Sequence, residues 1–273
     1  MHLVGQKNNI ELINSWNKLP NFVIIQGEQH TGKKYLTLYL CEKFKLYYKQ
    51  VDASVKSVRS LINVMTENSN TLYHLHNFDK ASLQAKNALL KVTEETPQGN
   101  YIVITGGPQI KTLESRARKI IMEPYSYNDM EPYIKNNIIN CNNYLDVYRV
   151  GINTPAKVQY YKDCENLNTI IELAKDVKDK LTYITPKDIL SIIGKFEDKY
   201  DELDECLMFL NMLVSLLEYD LKDKMYTSYT SILQIILVTK NRLLYEKTLR
   251  RKMLLFDMFY NIILVQKEQI SSI

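Results

Sequence analysis

The sequence predicts an α/β domain built on a parallel sheet, followed by a wholly helical second half. Three observations carry this expectation. Short β-branched runs at 21–27 (NFVIIQG), 71–78 (TLYHLHNF) and 100–108 (NYIVITGGP) alternate with segments of helical periodicity over the first 125 residues. The stretch GEQHTGKK (27–34) joins the first run to a helix with the spacing of a phosphate-binding loop. After MEPYSYNDMEPY (122–133) the strand signals stop.

The elements follow in order. NFVIIQG is a strand that ends in glycine. TGKKYLTLYLCEKF (31–44) then sets Leu36, Leu40 and Phe44 at helical spacing. TLYHLHNF is the second strand, and ASLQAKNALLKVTEE (81–95) is a helix by composition and periodicity. NYIVITGGP is the third strand, stopped by Gly-Gly-Pro. The prolines and turn formers of 122–133 mark a boundary, and residues 126–182 form a small helical unit. From 183 to 273 the chain is helical throughout, with Thr185 placed to cap a helix that has Pro186 at its first position. The apolar segments 201–221 and 231–266 are of the kind that packs against other helices, within the chain or in an assembly.

Bulk composition narrows the function classes. Apolar residues make up 45% and charged residues 24% of 273, ordinary for a globular protein. A net charge of +4 does not demand a nucleic-acid partner, though local basic patches stay open. Cys41, Cys141, Cys164 and Cys206 are far apart, with no Cys-x-x-Cys. Neither zinc nor a disulfide framework is expected, and reduced thiols suit the cytoplasm. MHLVGQKNNIEL has no signal-peptide pattern, and the longest apolar stretch, SILQIILVTK, is too short to span a bilayer.

The loop carries the chemistry. In a phosphate-binding loop consecutive backbone N–H groups surround the phosphates, the lysine reaches the outer ones, and a Ser or Thr hydroxyl ligates Mg²⁺. Gly27, Gly32 and Lys33 fit the pattern, but position 34 is a second lysine. The acids that hold Mg²⁺ and activate water belong at the end of a later strand. In YHLHNFDKAS (73–82) His76 and Asn77 stand there instead. Neutral His and Asn are poor ligands for a hard cation. With both positions wrong, hydrolysis by this chain is expected to be weak or absent. ATP or ADP binding through Gly32 and Lys33 remains open, with weak or no Mg²⁺ coordination, because backbone donors do not depend on residue 34. The rival reading is a glycine-rich turn without ligand. His74 and His76 could share a strand face, but no further ligand accompanies them, so no metal site is expected.

Several blocks resemble the AAA+ clamp-loader subunits of replicative DNA polymerases, the DNA polymerase III delta-prime and gamma family, and the delta-prime-like members most. Residues 3–34 are similar to the family's opening, a Gly-Gln pair before a helix and then the loop. VDASVKSVRSLINVM (51–65) resembles its Asp-Ala-Ser segment and following helix. HNFDKASLQAKNALLKVTEETPQGNYIVIT (76–105) resembles its Asn-Ala-Leu-Leu-Lys helix with Glu-Glu, Pro and a strand. TLESRA (112–117) resembles the Thr-Ile-x-Ser-Arg-Cys motif, with Ala117 in place of the cysteine. The likeness covers residues 3–125 and fades into GINTPAKVQYY (151–161), similar to the lid segment.

The resemblance implies an AAA+ module at 1–125, a lid at 126–182 and an oligomerising collar at 183–273. It implies a five-subunit assembly that places a sliding clamp on primer–template DNA. Arg116, after Ser115, matches the arginine that acts on a neighbour's nucleotide, with a solvated strand-end arginine as its rival reading. Thr105 matches the sensing polar residue, and Lys157 is the nearest cation to the lid position. Lys33, Lys34, Thr105 and Lys157 join Gly27 and Gly32 as the nucleotide-binding candidates. Lys56, Arg59, Lys80, Gln84 and Lys86 are the candidates for contact with DNA phosphates. The missing zinc module and the short chain suggest a minimal system, viral or from a reduced genome. The competing functions are an ATP-hydrolysing loader subunit, with Mg²⁺ held by an atypical set such as Asp79, and an unrelated P-loop protein.

Overall fold

Alternating burial explains the sheet. In a computed structural model, which describes residues 5–138, 141–199, 203–223, 227–246 and 250–271, strand β1 (Phe22–Gln26) sends Phe22 and Ile24 to one face and Val23 and Ile25 to the other. Both faces are covered, so the strand reads as a continuous apolar run. The same split holds in β3 (Thr71–Leu75), with Tyr73 and Leu75 opposite Leu72, and in β4 (Asn100–Gly106), with Ile102 and Ile104 opposite Val103. With β2 (Tyr47–Val51) and β5 (Arg118–Ile121) they form one parallel sheet in the order β2-β3-β4-β1-β5.

Helices α1 (Lys7–Asn14) and α2 (Lys33–Phe44) close one face, through Ile13, Leu36 and Leu40. Helices α3 (Val55–Glu67) and α4 (Leu83–Glu94) close the other, through Val58, Leu61, Met65, Ala85, Leu89 and Val92. Ser54 and Ser82 cap α3 and α4 by accepting from the Ser57 and Ala85 amides. A short helix α5 (Lys111–Glu114) leads into β5.

Two strands were not among the sequence expectations. The β2 residues Tyr-Tyr-Lys-Gln-Val are mostly exposed or half-buried, because an edge strand needs no apolar run. The Arg-Lys-Ile-Ile of β5 is short and half basic. The second expected strand also ends earlier, at Leu75. A turn follows, with Asn77 in the left-handed region at φ 52°, and then a 3₁₀ turn at Phe78–Lys80.

The chain divides into two compact units, residues 1–130 with 154–156, and 131–153 with 157–273. Helix α6 (Tyr127–Asn137) runs across the first division. The second unit holds α7 (Tyr144–Arg149), α8 (Pro155–Tyr161, but for its first two residues), α9 (Leu167–Lys180), α10 (Pro186–Lys199), α11 (Leu203–Asp223), α12 (Thr227–Tyr245) and α13 (Arg251–Ser271). Within it α11 packs against α9 and α12, while α13 packs against α12 and α10. Thr185 caps α10 as its sequence predicts. Its amide donates to the Asp188 carboxylate at 3.0 Å, and its hydroxyl accepts from the Asp188 amide at 3.3 Å. Buried Asp146 is paired with Lys175 at 2.9 Å and Arg149 at 3.4 Å.

Candidate functional site

The strand order reverses beside β1, and ligands of open α/β sheets bind outside the carboxyl ends of strands at such points. The phosphate-loop candidate lies there, between β1 and α2. The Gly27 amide donates to the Gly106 carbonyl at 3.0 Å, extending the sheet past the last β1 residue. A Cβ at Gly27 would meet Met122 Cβ at 2.7 Å, so close packing requires glycine. His30 and Gly32 hold the loop's left-handed turns at φ 64° and 86°. Gly32 then starts α2, whose first amides lack intrahelical partners, as at any helix N-terminus.

Lys33 is the first residue of α2 and is buried. Its ammonium donates to the Gly27 carbonyl at 2.8 Å and to the Glu28 carbonyl. Burial lowers its pKa, while the Asp79 and Glu28 charges pull it back up. Lys34 is exposed, with no ion pair or hydrogen bond among the described residues. Both lysines face a cleft of about 350 Å³ that also meets His30, His76 and Asn77. Among the described residues no carboxylate lines it.

Thr105, at the end of β4, is fully buried. Its hydroxyl is shared between His74 Nε2 at 2.9 Å and His76 Nδ1 at 3.3 Å. His74 is itself fully buried, and its Nδ1 meets the Tyr48 hydroxyl at 2.8 Å. A chain of polar contacts thus runs Tyr48–His74–Thr105–His76, and only its last member reaches the cleft. Thr105, the candidate for the sensing polar residue, meets the cleft through the His76 imidazole. Burial, then the His76 and Lys34 charges, hold the His74 pKa down at about 4. His76 is lowered by burial, then by Lys33 and Lys34, against a smaller pull from Asp79. Both rings are therefore neutral acceptors or donors near pH 7, and among the described residues no cluster of three or more His, Cys, Asp or Glu could hold a metal.

Asp79, the acid considered for an atypical Mg²⁺ set, is not among the residues that line this cleft, although its charge reaches Lys33 and His76. Its carboxylate lies against Gly106 and Gly107, and a Cβ built on Gly106 would collide with it. One of its oxygens is buried without a hydrogen-bond partner. The residues present do not fit Mg²⁺: the loop offers ammonium where a hydroxyl is needed, and the strand end offers imidazole and amide.

Arg116 lies in the turn between α5 and β5. Its Nη2 and Nε donate to Glu94 Oε1 at 2.8 and 3.2 Å, and its Nη1 to the Thr112 carbonyl at 3.0 Å. Both side chains of the pair are exposed. Lys157 belongs to the second unit, where its ammonium donates to the Gly151 carbonyl at 2.8 Å.

The candidates for DNA contact separate. Arg59 of α3 and Gln84 of α4 line one groove of about 600 Å³, together with Asn87 and Lys91. The sequence had not singled out these last two, although 84, 87 and 91 fall on one face of a helix. Lys56 and Lys80 are exposed outside this groove. Lys86 is occupied locally, donating to the Asp79 carbonyl at 2.7 Å.

No protein-family model matches the chain, and no curated protein matches it by sequence. Solved structures do. A DNA polymerase III gamma-subunit-related protein from Thermotoga maritima is similar over 95% of this chain and 99% of that one, at TM-score 0.50 and 13% identity. A variant of Thermotoga maritima RuvB is similar over 80% of this chain and 76% of that one, at TM-score 0.50 and 11% identity. Both likenesses show the fold, a parallel α/β module followed by helices.

Proposed function

We propose that this chain is a delta-prime-like subunit of a sliding-clamp loader that does not hydrolyse ATP itself and supplies Arg116 to a neighbouring ATPase subunit. One observation carries the proposal: a phosphate-loop cleft with no carboxylate among the described residues that line it coexists with an arginine held at the surface by Glu94 and Thr112. An arginine acts on a transferring phosphoryl group by stabilising its charge, and it needs no metal site of its own. An ATP-hydrolysing reading would need Asp79 at the metal, and the packing of Asp79 against Gly106 and Gly107 does not support it.

The other parts of the reading are consistent with this role. Residues 126–182 would be the lid and 183–273 the collar. Met253, Phe256, Tyr260 and Leu264 recur at helical spacing along α13 and are exposed, which suits assembly with other subunits. The groove of Arg59, Gln84, Asn87 and Lys91 suits the phosphate backbone of primer–template DNA. No helix among the described residues is long and apolar enough to cross a membrane.

The test begins with a tagged pull-down from the native source, with partners read by mass spectrometry. A second P-loop protein with intact Ser/Thr and acidic motifs is the expected partner. In the reconstituted assembly Arg116→Ala should lower ATP turnover by about a thousandfold or more, the scale of arginine fingers. Recovery of the chain without replication proteins, or turnover by the chain alone, would overturn the proposal.

A further inference from the structure

We infer that the loop cleft binds a nucleoside polyphosphate in its metal-free form, with the Lys34 ammonium standing where the Mg²⁺ ion of other phosphate loops would stand. The inference rests on the reading of residues 27–34 as a phosphate-binding loop and deepens it.

The argument is one of charge and ligand chemistry. A triphosphate brings about four negative charges at neutral pH, and sites that use Mg²⁺ cancel two of them with the ion. Mg²⁺ needs oxygen donors from the protein or from water, arranged as an octahedron. Here the cleft meets Lys33, Lys34, His30 and His76 and, among the described residues, no carboxylate. A divalent cation entering it would face two ammonium groups, and Asp79 and Glu28, whose charges reach Lys33, are not among the residues that line it to serve as ligands. An anion would meet both, together with the free amides at the start of α2.

Lys34 is suited to this role by what it lacks. It is exposed and unpaired among the described residues, and its charge reaches the cleft, since it helps depress His76. Lys33 is held back on the Gly27 and Glu28 carbonyls, from which a phosphate oxygen can draw it as a stronger, charged acceptor. The two lysines together supply the local charge that one lysine and part of a metal ion supply elsewhere. No bond is made or broken by this arrangement. It retains nucleotide without the metal that phosphoryl transfer requires, which agrees with the absence of carboxylate at His76 and Asn77.

The experiment is calorimetric titration of the full chain with ATP, and separately with pyrophosphate, in EDTA and in excess Mg²⁺. Binding is expected in EDTA, and Mg²⁺ should leave it unchanged or weaken it, because the ion and Lys34 compete for the same phosphate oxygens. Lys34→Met should weaken metal-free binding by about tenfold to a hundredfold, the scale of a hydrogen bond to a charged group. The double variant Lys34→Thr with His76→Asp restores an oxygen donor on each side, and Mg²⁺ should then tighten binding. Urea unfolding read by Trp16 fluorescence confirms that each variant is folded. Tightening of wild-type binding by Mg²⁺, or unchanged affinity in Lys34→Met, would overturn the inference. So would absence of binding in both buffers, and the effect of Arg116→Ala on a neighbour's turnover would still stand or fall separately.

Discussion

His74 makes the stability of the α/β unit depend on pH in a way that can be worked from the structure. It is fully buried on β3, between the Tyr48 and Thr105 hydroxyls, and its pKa is held at about 4 against an ordinary 6.5. Because the folded-state value is depressed, the unfolded chain takes up this proton first. The stabilisation is complete above about 6.5 and is lost as pH falls toward 4. The gap between the two values corresponds to about 2 kcal/mol lost by about pH 5 and about 3 kcal/mol by about pH 4. His74→Gln removes the titration and, at neutral pH, costs about 1–2 kcal/mol in poorer hydrogen bonds to Tyr48 and Thr105. The two proteins should therefore cross, with the variant the more stable below about pH 5. Trp16, the chain's single tryptophan, packs on the core beneath α1 and α2 and reports this unit by fluorescence during urea unfolding. Carboxylates titrate alike in both proteins, so the difference between them isolates the histidine. Parallel stability–pH curves would refute the reasoning.

Two further perturbations test the surroundings of the site. Gly106→Ala forces a side chain into a backbone at φ 153° and against the Asp79 carboxylate, and should cost about 3 kcal/mol in the same fluorescence assay. Arg59→Ala and Lys91→Ala should each weaken binding of primer–template DNA alike for all sequences and reduce the salt slope of its affinity by about 1, measured by fluorescence anisotropy.

What the sequence discloses here follows from where burial is two-sided. β1, β3 and β4 are covered on both faces, so each is a plain apolar run and each was legible. β2 lies at the sheet edge with Tyr47 and Lys49 in solvent, and its pattern carries no hydrophobic signal. β5 borrows its place from pairing with β1 and is too short for periodicity to register. At the site, the loop glycines and lysines were legible because backbone geometry fixes their spacing. The Tyr48–His74–Thr105 contacts were not, since they join residues 26 and 31 positions apart across three strands. A histidine inside an otherwise apolar strand was the one available signal. The Glu94–Arg116 pair was hidden in the same way, 22 positions apart.

That pair bears on how the two halves of the function could be linked. Glu94 closes α4, the helix whose other residues line the groove of Gln84, Asn87 and Lys91. The same helix begins at Ser82, just after the 3₁₀ turn whose Asp79 carbonyl holds Lys86 and whose carboxylate sits under Gly106. A rigid helix therefore carries, along about 18 Å of its length, a groove suited to a phosphate backbone and the carboxylate that aims Arg116. Under the proposed function, DNA seated in the groove and the arginine offered to a neighbour share one rigid support. A shift of α4 would move Glu94 and so re-aim the guanidinium, with no change needed in the chain's own loop. This would let a subunit with a catalytically silent cleft still couple DNA to hydrolysis next door.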